Sequence, residues 1–450
     1  MPYFNGKISL PRTTQTALRS WATGAIFAAK IMGVKPLANQ GKRSKFPNME
    51  IRSVTLFCDP DFDTQLASQF YAAARSAFAF PVQTVRLAAP PFPNWWDDSV
   101  VNAVDFAAKW QAAGADYISL GPVKLDHTAV WLDRIPHLLA ATDALFATIE
   151  IADGNGRIAL DRIHHTANII KQVSVVQANG FGNLYLAALA NCPPGSPFFP
   201  VAYHAGGPPT FAIAVEAADL ALNAIQSAQT LSEARTNLIT AIEKAAGALA
   251  ATAVSLAHAH NIPFQGIDFS LAPYPTDDKS LAGAMEALGL PHVGAPGSLF
   301  AAAFITEAIG RANFPRCGFS GLMLPALEDS VLALRAGEGK VTVNDLLGYA
   351  AVCGVGLDTI PLPGDIDEAS LSGILLDVAA LASRLDKPLT ARLMPLPGLQ
   401  AGDPAQFDFP YFADSGVMAV PPNGVTGTLQ SNERLVLRRY QRGNGAAKHG

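Results

Sequence analysis

Strands and helices are predicted to alternate along the first part of the chain, because its apolar and polar positions change period repeatedly. Residues 51–57, 82–88 and 117–120 have the short alternating or apolar runs of strands. Helices are expected between them, over about 59–79 and 98–113, where the apolar positions recur at helical spacing. Strand, helix and strand at this spacing indicate βαβ units and a parallel sheet.

The same alternation continues through the rest of the chain. We predict further strands over residues 145–151, 157–160, 183–191, 265–270 and 389–394, an apolar strand between Gly321 and Glu328, and helices over about 163–170, 210–228, 231–260, 343–352 and 368–384. The helices predicted at 210–228 and 231–260 are rich in Ala, which favours helix. We expect a homo-oligomer, because such long helices can bury an interface between subunits.

The domain organisation follows from the ends of the chain. No low-complexity linker interrupts residues 49–430, and we predict a single α/β domain there. Residues 1–48 contain eight Lys or Arg and no acid, and residues 431–450 contain five basic residues and one acid. We interpret the first segment as a basic N-terminal extension and the second as a basic C-terminal tail.

Charge and cysteine usage limit the classes of partner. Residues 49–430 hold 19 basic and 36 acidic side chains, and an acidic body argues against nucleic acid. No segment reaches the roughly 18 uncharged apolar residues of a membrane span. The four cysteines form no CxxC pair, which fits a reducing compartment. We therefore expect a cytoplasmic protein that binds a small molecule rather than nucleic acid or a membrane.

Two polar residues beside apolar strands are candidates for catalysis and for binding a divalent metal. His204 follows an apolar segment and precedes Gly206-Gly207-Pro208-Pro209, where it can act as acid, base or ligand. Its alternative role is that of a buried structural histidine. Asp268 lies within an apolar strand, so its carboxylate needs a partner. That partner is a metal ion, a substrate group or Arg392, and an internal salt bridge is as good an explanation.

Polar residues also follow the later apolar segments. Glu328 and Asp329 precede a predicted helix, and an N-cap accounts for one of them but not for both, so Glu328 is a candidate catalytic residue. Arg392 can bind a carboxylate or phosphate through two hydrogen bonds and is a candidate substrate ligand. Ser270, at the end of a predicted strand, is a further candidate for substrate binding.

The string Cys353-Gly354-Val355-Gly356-Leu357-Asp358 combines reactive and flexible residues. Gly354 and Gly356 let backbone N–H groups approach an anion closely, which makes them candidates for substrate binding. Cys353 becomes a nucleophile if its thiolate is stabilised, and is otherwise a buried, inert thiol. Asp358 is a candidate catalytic carboxylate.

Standard cofactor fingerprints are missing from the sequence. No GxGxxG opens a helix after a strand, and neither GxxxxGK[ST] nor HExxH occurs. NAD, ATP and zinc-protease chemistry are therefore not expected. The cofactor stays unknown, with a divalent metal as one candidate.

Five blocks of the sequence together resemble a known family. They are Ser196-Pro197-Phe198-Phe199-Pro200-Val201-Ala202-Tyr203-His204, Gly266-Ile267-Asp268-Phe269-Ser270-Leu271-Ala272-Pro273, Gly318–Gly321 with Glu328-Asp329, Cys353–Pro361 with Gly364-Asp365, and Thr390-Ala391-Arg392. Their order and content are similar to the bacterial and archaeal family called domain of unknown function 711, also uncharacterised protein family 0210. The resemblance covers about residues 49–420.

The resemblance implies a fold like that of the pyruvate-formate-lyase group, a ten-stranded α/β barrel with a loop inside and helices outside. In the glycyl-radical relatives a cysteine lies at the tip of the inner loop, and Cys353 is the equivalent that the resemblance suggests. The string that carries the radical glycine is absent here, and the late Gly416 lacks its setting. We therefore do not expect a glycyl-radical enzyme.

The sequence favours a non-radical enzyme that acts on a small anionic metabolite at the mouth of the barrel. His204, Asp268 and Glu328 would handle protons or a metal, Arg392 would orient the substrate, and Cys353 with Asp358 would line the inner loop. The reaction class is open. The alternative is a non-catalytic metabolite-binding or regulatory protein on the same barrel, with a pocket lined by backbone and apolar groups.

Overall fold

The structure is a computed structural model that describes residues 49–97 and 102–440. The predicted N-terminal extension, residues 1–48, lies outside the described residues, as does the second half of the predicted C-terminal tail. The first half of that tail contributes a short strand, Arg434–Val436, to the sheet.

The described strands and helices follow the predicted alternation. The strands are β1 (Glu50–Phe57), β2 (Val82–Ala88), β3 (Tyr117–Val123), β4 (Leu145–Ala152), β5 (Arg157–Ala159), β6 (Leu186–Ala190), β7 (Thr210–Glu216), β8 (Phe264–Ala272), β9 (Gly356–Pro363), β10 (Leu389–Leu396), β11 (Pro404–Ala405), β12 (Ser415–Gly416) and β13 (Arg434–Val436). The α-helices are α1 (Thr64–Ala77), α2 (Ala103–Ala112), α3 (Val130–Ala141), α4 (Leu160–Ser174), α5 (Ala218–Gln226), α6 (Leu231–His260), α7 (Leu281–Ala287), α8 (Ser298–Arg311), α9 (Ser330–Gly337), α10 (Val343–Cys353) and α11 (Glu368–Leu385).

The main sheet has the strand order β8-β7-β1-β2-β3-β4-β6-β10-β9. Within it β1, β2, β3, β4 and β6 run parallel to one another. The pairs β7–β8 and β9–β10 are each parallel internally and run antiparallel to that block. The carboxyl ends of β7, β8, β9 and β10 therefore lie at the same end of the sheet as the amino ends of β1, β2, β3, β4 and β6. The α/β class is confirmed.

The described residues do not form a closed ladder of ten strands. Instead, the segment 315–327 runs between the two outer strands of the sheet. It makes a parallel bridge from Arg316 to Ile267 of β8 and another from Pro325 to Asp358 of β9. The strand predicted between Gly321 and Glu328 does not form, because the segment bonds to β8 at Met323 and then to β9 at Ala326 rather than along one neighbour.

The inner face of the first strands is covered by the loop that follows β6. Ser53 and Thr55, which alternate with the core residues of β1, both donate hydrogen bonds to the carbonyl of Pro197. Ser119 of β3 donates to the carbonyl of Pro200. The loop expected inside the barrel from the resemblance was the one at Cys353, but Cys353 is the last residue of α10.

The helix predicted over 210–228 is wrong in its first half. Thr210–Glu216 is the strand β7, which lies between β1 and β8 and is buried along almost its whole length. A strand buried on both faces has no polar alternation, so its run of Ala, Ile and Val is also compatible with a helix. Helix α5 begins at Ala218.

Helix α6, Leu231–His260, is long and apolar enough to cross a membrane by length and composition. Its residues Leu238, Ile242 and Leu249 are buried in the core, and it packs on α5, α8 and β8. A helix that covers a sheet passes the same test, so this feature is weak evidence for a membrane.

Candidate functional site

Five charged side chains meet inside the protein and form what we call the arginine–carboxylate cluster: Arg52, Glu216, Glu328, Asp358 and Arg392. Arg52 donates to Glu216 at 3.2 Å and also to Glu328. Arg392 donates from Nη2 to Glu328 at 3.0 Å and from Nε to Asp358 at 2.5 Å. Glu328 is thus held between two guanidinium groups.

The sheet topology assembles this cluster. Arg52 lies near the amino end of β1, and Glu216 is the last residue of the antiparallel neighbour β7. Asp358 and Arg392 lie on the parallel strands β9 and β10. Glu328 comes from the segment between the two outer strands. Five chain segments that are distant in sequence therefore bring their charges together.

A second layer of polar groups surrounds Glu216. Lys279 donates to Glu216 at 2.8 Å and to Glu50 at 3.3 Å. Gln83 donates to Glu216 at 2.6 Å. The Tyr411 ring lies 5.2 Å from the guanidinium carbon of Arg52. The buried carboxylate of Glu216 is thereby fully hydrogen-bonded.

Burial and mutual attraction compete in the electrostatics of the cluster. Burial lowers the pKa of Arg52, but the carboxylates of Glu328 and Glu216 more than offset it and hold that pKa above its ordinary value. The same competition raises the pKa of Arg392, through Asp358 and Glu328. Burial raises the pKa of Asp358 although Arg392 opposes the shift. The arginines therefore stay charged, and Asp358 is the carboxylate whose ionisation the protein disfavours.

Sequence reasoning found Glu328, Asp358 and Arg392, and the structure brings these three together. It missed Arg52, Glu216 and Lys279. Glu216 was hidden because its strand was predicted as a helix. Arg52 carried a usable signal, since it is the only charged residue in the first predicted strand, residues 51–57.

Asp268 and Ser270 serve a loop rather than the cluster. The Asp268 carboxylate accepts hydrogen bonds from the Ser270 hydroxyl at 2.5 Å and from the backbone N–H groups of Phe319 and Ser320 at 2.7 and 2.8 Å. Its partner is therefore neither Arg392 nor another charged side chain. Burial raises the pKa of Asp268 to about 6, against the opposing effect of these hydrogen bonds.

His204 lies at the opposite end of the sheet, near the carboxyl end of β1 and the amino end of β7. It lines a pocket of about 320 Å³ together with Phe57 at the end of β1 and Thr210 at the start of β7. Its ring Nε2 is 3.2 Å from the carbonyl of Gly207. Phe57 and Arg52 are five residues apart on β1, roughly 16 Å at the rise of a strand. His204 and the cluster are therefore separate sites.

The glycines around Cys353 have backbone roles. Gly354, with φ of 85°, caps helix α10 by donating its N–H to the carbonyl of Ala350. A Cβ on Gly356, which has φ of 108°, would lie 2.2 Å from the carbonyl oxygen of Thr390 on β10. Burial raises the pKa of the Cys353 thiol, so the thiolate is disfavoured. Neither glycine directs a free anion-binding loop in this arrangement.

The metal candidates His204 and Asp268 are not grouped with other ligands. Among the described residues, no three His, Cys, Asp or Glu side chains come together as a metal-binding group. Both oxygens of Asp268 already accept hydrogen bonds, so a cation would have to displace them.

Comparison with known proteins gives the family and shows both archaeal and bacterial relatives. A UPF0210 protein of Pyrobaculum aerophilum is 37% identical over 283 residues, which are 60% of this chain and 61% of that protein. The UPF0210 protein of Lactiplantibacillus plantarum is 28% identical over 419 residues, 84% of this chain and 92% of that protein. The chain spans about three fifths of the length of its archaeal relatives. The model of the family described as Uncharacterised ACR (DUF711) matches residues 45–409, and the chain belongs to that family.

Proposed function

We propose that this protein is a non-radical enzyme that acts on a small anionic metabolite by acid–base chemistry at the arginine–carboxylate cluster. The observation that carries the proposal is the position of Glu328, buried between the guanidinium groups of Arg52 and Arg392. Buried ion pairs contribute little to stability, because desolvation offsets their attraction. Titratable groups that strongly shift the pKa values of one another are common at functional sites.

The roles follow from the contacts. Arg52 and Arg392 fix the two oxygens of Glu328, so its carboxylate is held in one orientation and can exchange a proton with a substrate at a defined position. Asp358, whose pKa burial raises, is the group suited to hold a proton and return it. Arg392 forms ion pairs with both Glu328 and Asp358, so a change in the charge of one carboxylate alters the electrostatic environment of the other.

The position of the segment 315–327 supports a site at the cluster. The segment 315–327 bonds to β8 at one end and to β9 at the other, and thus lies between the strands that would otherwise be the free edges of the sheet. We propose that this segment takes the place of a tenth strand. The interior would then be closed on all sides, and water would be excluded from the cluster.

Charge and cysteine usage favour a cytoplasmic location and a small-molecule partner. The acidic body of the chain disfavours nucleic acid, and the four cysteines are free. We retain a homo-oligomer as part of the proposal. A divalent metal is not needed for the acid–base roles described above.

Incubation with defined metabolites tests the proposal. The purified protein is mixed with a pool of small carboxylic and phosphorylated acids, and consumption is followed by mass spectrometry. We expect time-dependent loss of at least one compound with wild-type protein and at least a hundredfold slower loss with Glu328→Gln, because a general base contributes about 10²–10⁴-fold. Glu338→Gln, an exposed carboxylate, is the control that should keep full activity.

A non-catalytic metabolite-binding protein would behave differently in the same experiment. It would retain one compound through gel filtration without consuming it, in both wild-type protein and Glu328→Gln. That result would replace the enzyme by the binding protein. If the protein neither consumed nor retained any compound, that result would contradict both functions.

A further inference from the structure

Arg86 is a buried cation that makes no ion pair within the described part of the protein, although Asp116 attracts it from a longer distance. It lies on β2 and is only 8% exposed. Its Nε donates to the Thr84 hydroxyl at 2.8 Å, and no other hydrogen bond of its guanidinium occurs within the described residues. Burial of an arginine without an anion costs desolvation free energy, which indicates a functional reason for its position.

Aromatic rings hold this guanidinium in place. Its central carbon lies 5.0 Å from the ring of Phe199 and 5.7 Å from the ring of Tyr117. Phe146 packs edge-on against both rings, at 5.3 and 5.4 Å. Attraction between a cation and ring faces fixes the guanidinium and leaves its hydrogen-bonding edge unused.

The unused edge of Arg86 borders accessible space. Its two terminal nitrogens have no hydrogen-bond partner among the described residues. They are nevertheless not fully enclosed, because they keep some solvent-accessible surface. Arg162 differs in this respect, because its Nη1 is both unpartnered and fully enclosed. The edge of Arg86 is therefore open to a ligand, whereas that of Arg162 is not.

Arg86 also lies next to the arginine–carboxylate cluster. Burial and, to a smaller extent, the charge of Arg52 lower the pKa of Arg86 to about 10. Arg52, Arg392 and Lys279 each contact two carboxylates. Among the described residues, Arg86 is thus the cation of this region that contacts no carboxylate, and the carboxylate of a ligand would supply that contact.

We propose that Arg86 anchors a carboxylate of the substrate, a monoanion bound through its two terminal nitrogens between Phe199 and Tyr117. This inference rests on the proposed function and gives its substrate class. A planar carboxylate matches the fork of a guanidinium and accepts two parallel hydrogen bonds. A dianionic phosphate is disfavoured, because among the described residues Arg86 is the cation of this region without a carboxylate contact and can compensate only one negative charge.

Acetate binding tests the anchor without knowledge of the full substrate. Line broadening of ¹³C-labelled acetate and the acetate-dependent shift in Tm are measured at constant ionic strength, with chloride and inorganic phosphate as comparison anions. We expect acetate to broaden and to raise the Tm of the wild-type protein, with a smaller effect of phosphate. Arg86→Gln should weaken acetate binding at least about tenfold, since charge-assisted hydrogen bonds contribute about 1.5–3 kcal/mol.

Two further variants keep the test decisive. Arg162→Gln removes another buried guanidinium and should leave acetate binding unchanged, which controls for loss of fold. Arg86→Lys keeps the charge without the fork and should bind acetate more weakly than wild-type protein. Without ligand, Arg86→Gln should have a Tm equal to or above that of the wild-type protein, because it removes a buried charge that makes no ion pair within the described residues.

Each contrary result has its own meaning. Acetate binding that persists in Arg86→Gln would overturn the anchor and leave the proposed enzyme intact. Phosphate binding as tight as acetate binding would overturn the monoanion. Absence of acetate binding in the wild-type protein, together with consumption of a metabolite in the incubation above, would reject Arg86 as a carboxylate anchor while the enzyme stands.

Discussion

At the scale of single residues, the arginines inside this protein fall into two kinds. Arg52 and Arg392 are each bonded to two carboxylates, whereas Arg86 is bonded to a hydroxyl and to ring faces. In the proposed function the first kind holds the carboxylates of the cluster in place, and the second kind binds a carboxylate of the substrate. The stability of variants should separate the two kinds.

Replacement of Arg392 by Gln should destabilise the protein by about 3–5 kcal/mol, because it leaves Glu328 and Asp358 buried without their shared cation. Urea denaturation at neutral pH measures this loss. Arg311, which is exposed at the end of α8, provides the control, and its replacement by Gln should change stability by less than about 0.5 kcal/mol. A loss below about 1 kcal/mol for Arg392→Gln would show that the cluster is solvated.

At the scale of secondary-structure elements, one carboxylate fixes a whole turn. Asp268 on β8 accepts two backbone N–H groups of the turn at Gly318–Gly321 and so anchors the start of the segment that leads to Glu328. The turn approaches so closely that a Cβ on Gly318 would lie 2.0 Å from Oδ2 of Asp268. Asp268 therefore acts on the cluster indirectly, by setting the path of this segment.

Gly318→Ala should be more destabilising than Gly339→Ala, by about 1–3 kcal/mol, because only the first substitution creates a steric clash. Both glycines have positive φ, 59° and 68°, so the cost of the backbone conformation is shared. No atom lies within 4 Å of a Cβ placed on Gly339. Thermal and urea unfolding of the two variants give the comparison, and equal losses would mean that the turn can move away from Asp268.

At the scale of the whole molecule, the segment 315–327 decides whether the interior is enclosed. The N–H of Met323 donates to the carbonyl of Ser270 on β8, and the N–H of Ala326 donates to the carbonyl of Asp358 on β9. These two bonds attach the segment to both outer strands. If it takes the place of a tenth strand, its amides should be as protected as those of the sheet.

Hydrogen–deuterium exchange measures this protection. We expect the amides of Met323 and Ala326 to exchange at rates close to those of the β9 amides, because both should open only with the sheet. The exposed glycines Gly206 and Gly207 provide the fast-exchanging reference within the same molecule. Exchange of Met323 and Ala326 as fast as that reference would argue against an enclosed interior.

The sequence by itself determined the α/β class, most strands and helices, and the family. It also identified three residues of the cluster: Glu328, Asp358 and Arg392. These features are local, since period, capping and short motifs are contained in neighbouring residues. Asp329 illustrates this, because its side chain caps α9 at the position where the sequence predicts an N-cap.

Only the tertiary structure decided which charges meet. Arg52 and Glu216 are 164 residues apart, and they become partners because β1 and β7 pair antiparallel. It likewise separated His204 and Asp268 from the cluster and left Arg86 without an ion pair in the part of the chain that the structure describes. The physical reason is that a buried charge is defined by its distance to other charges, which depends on strand order and register rather than on local sequence.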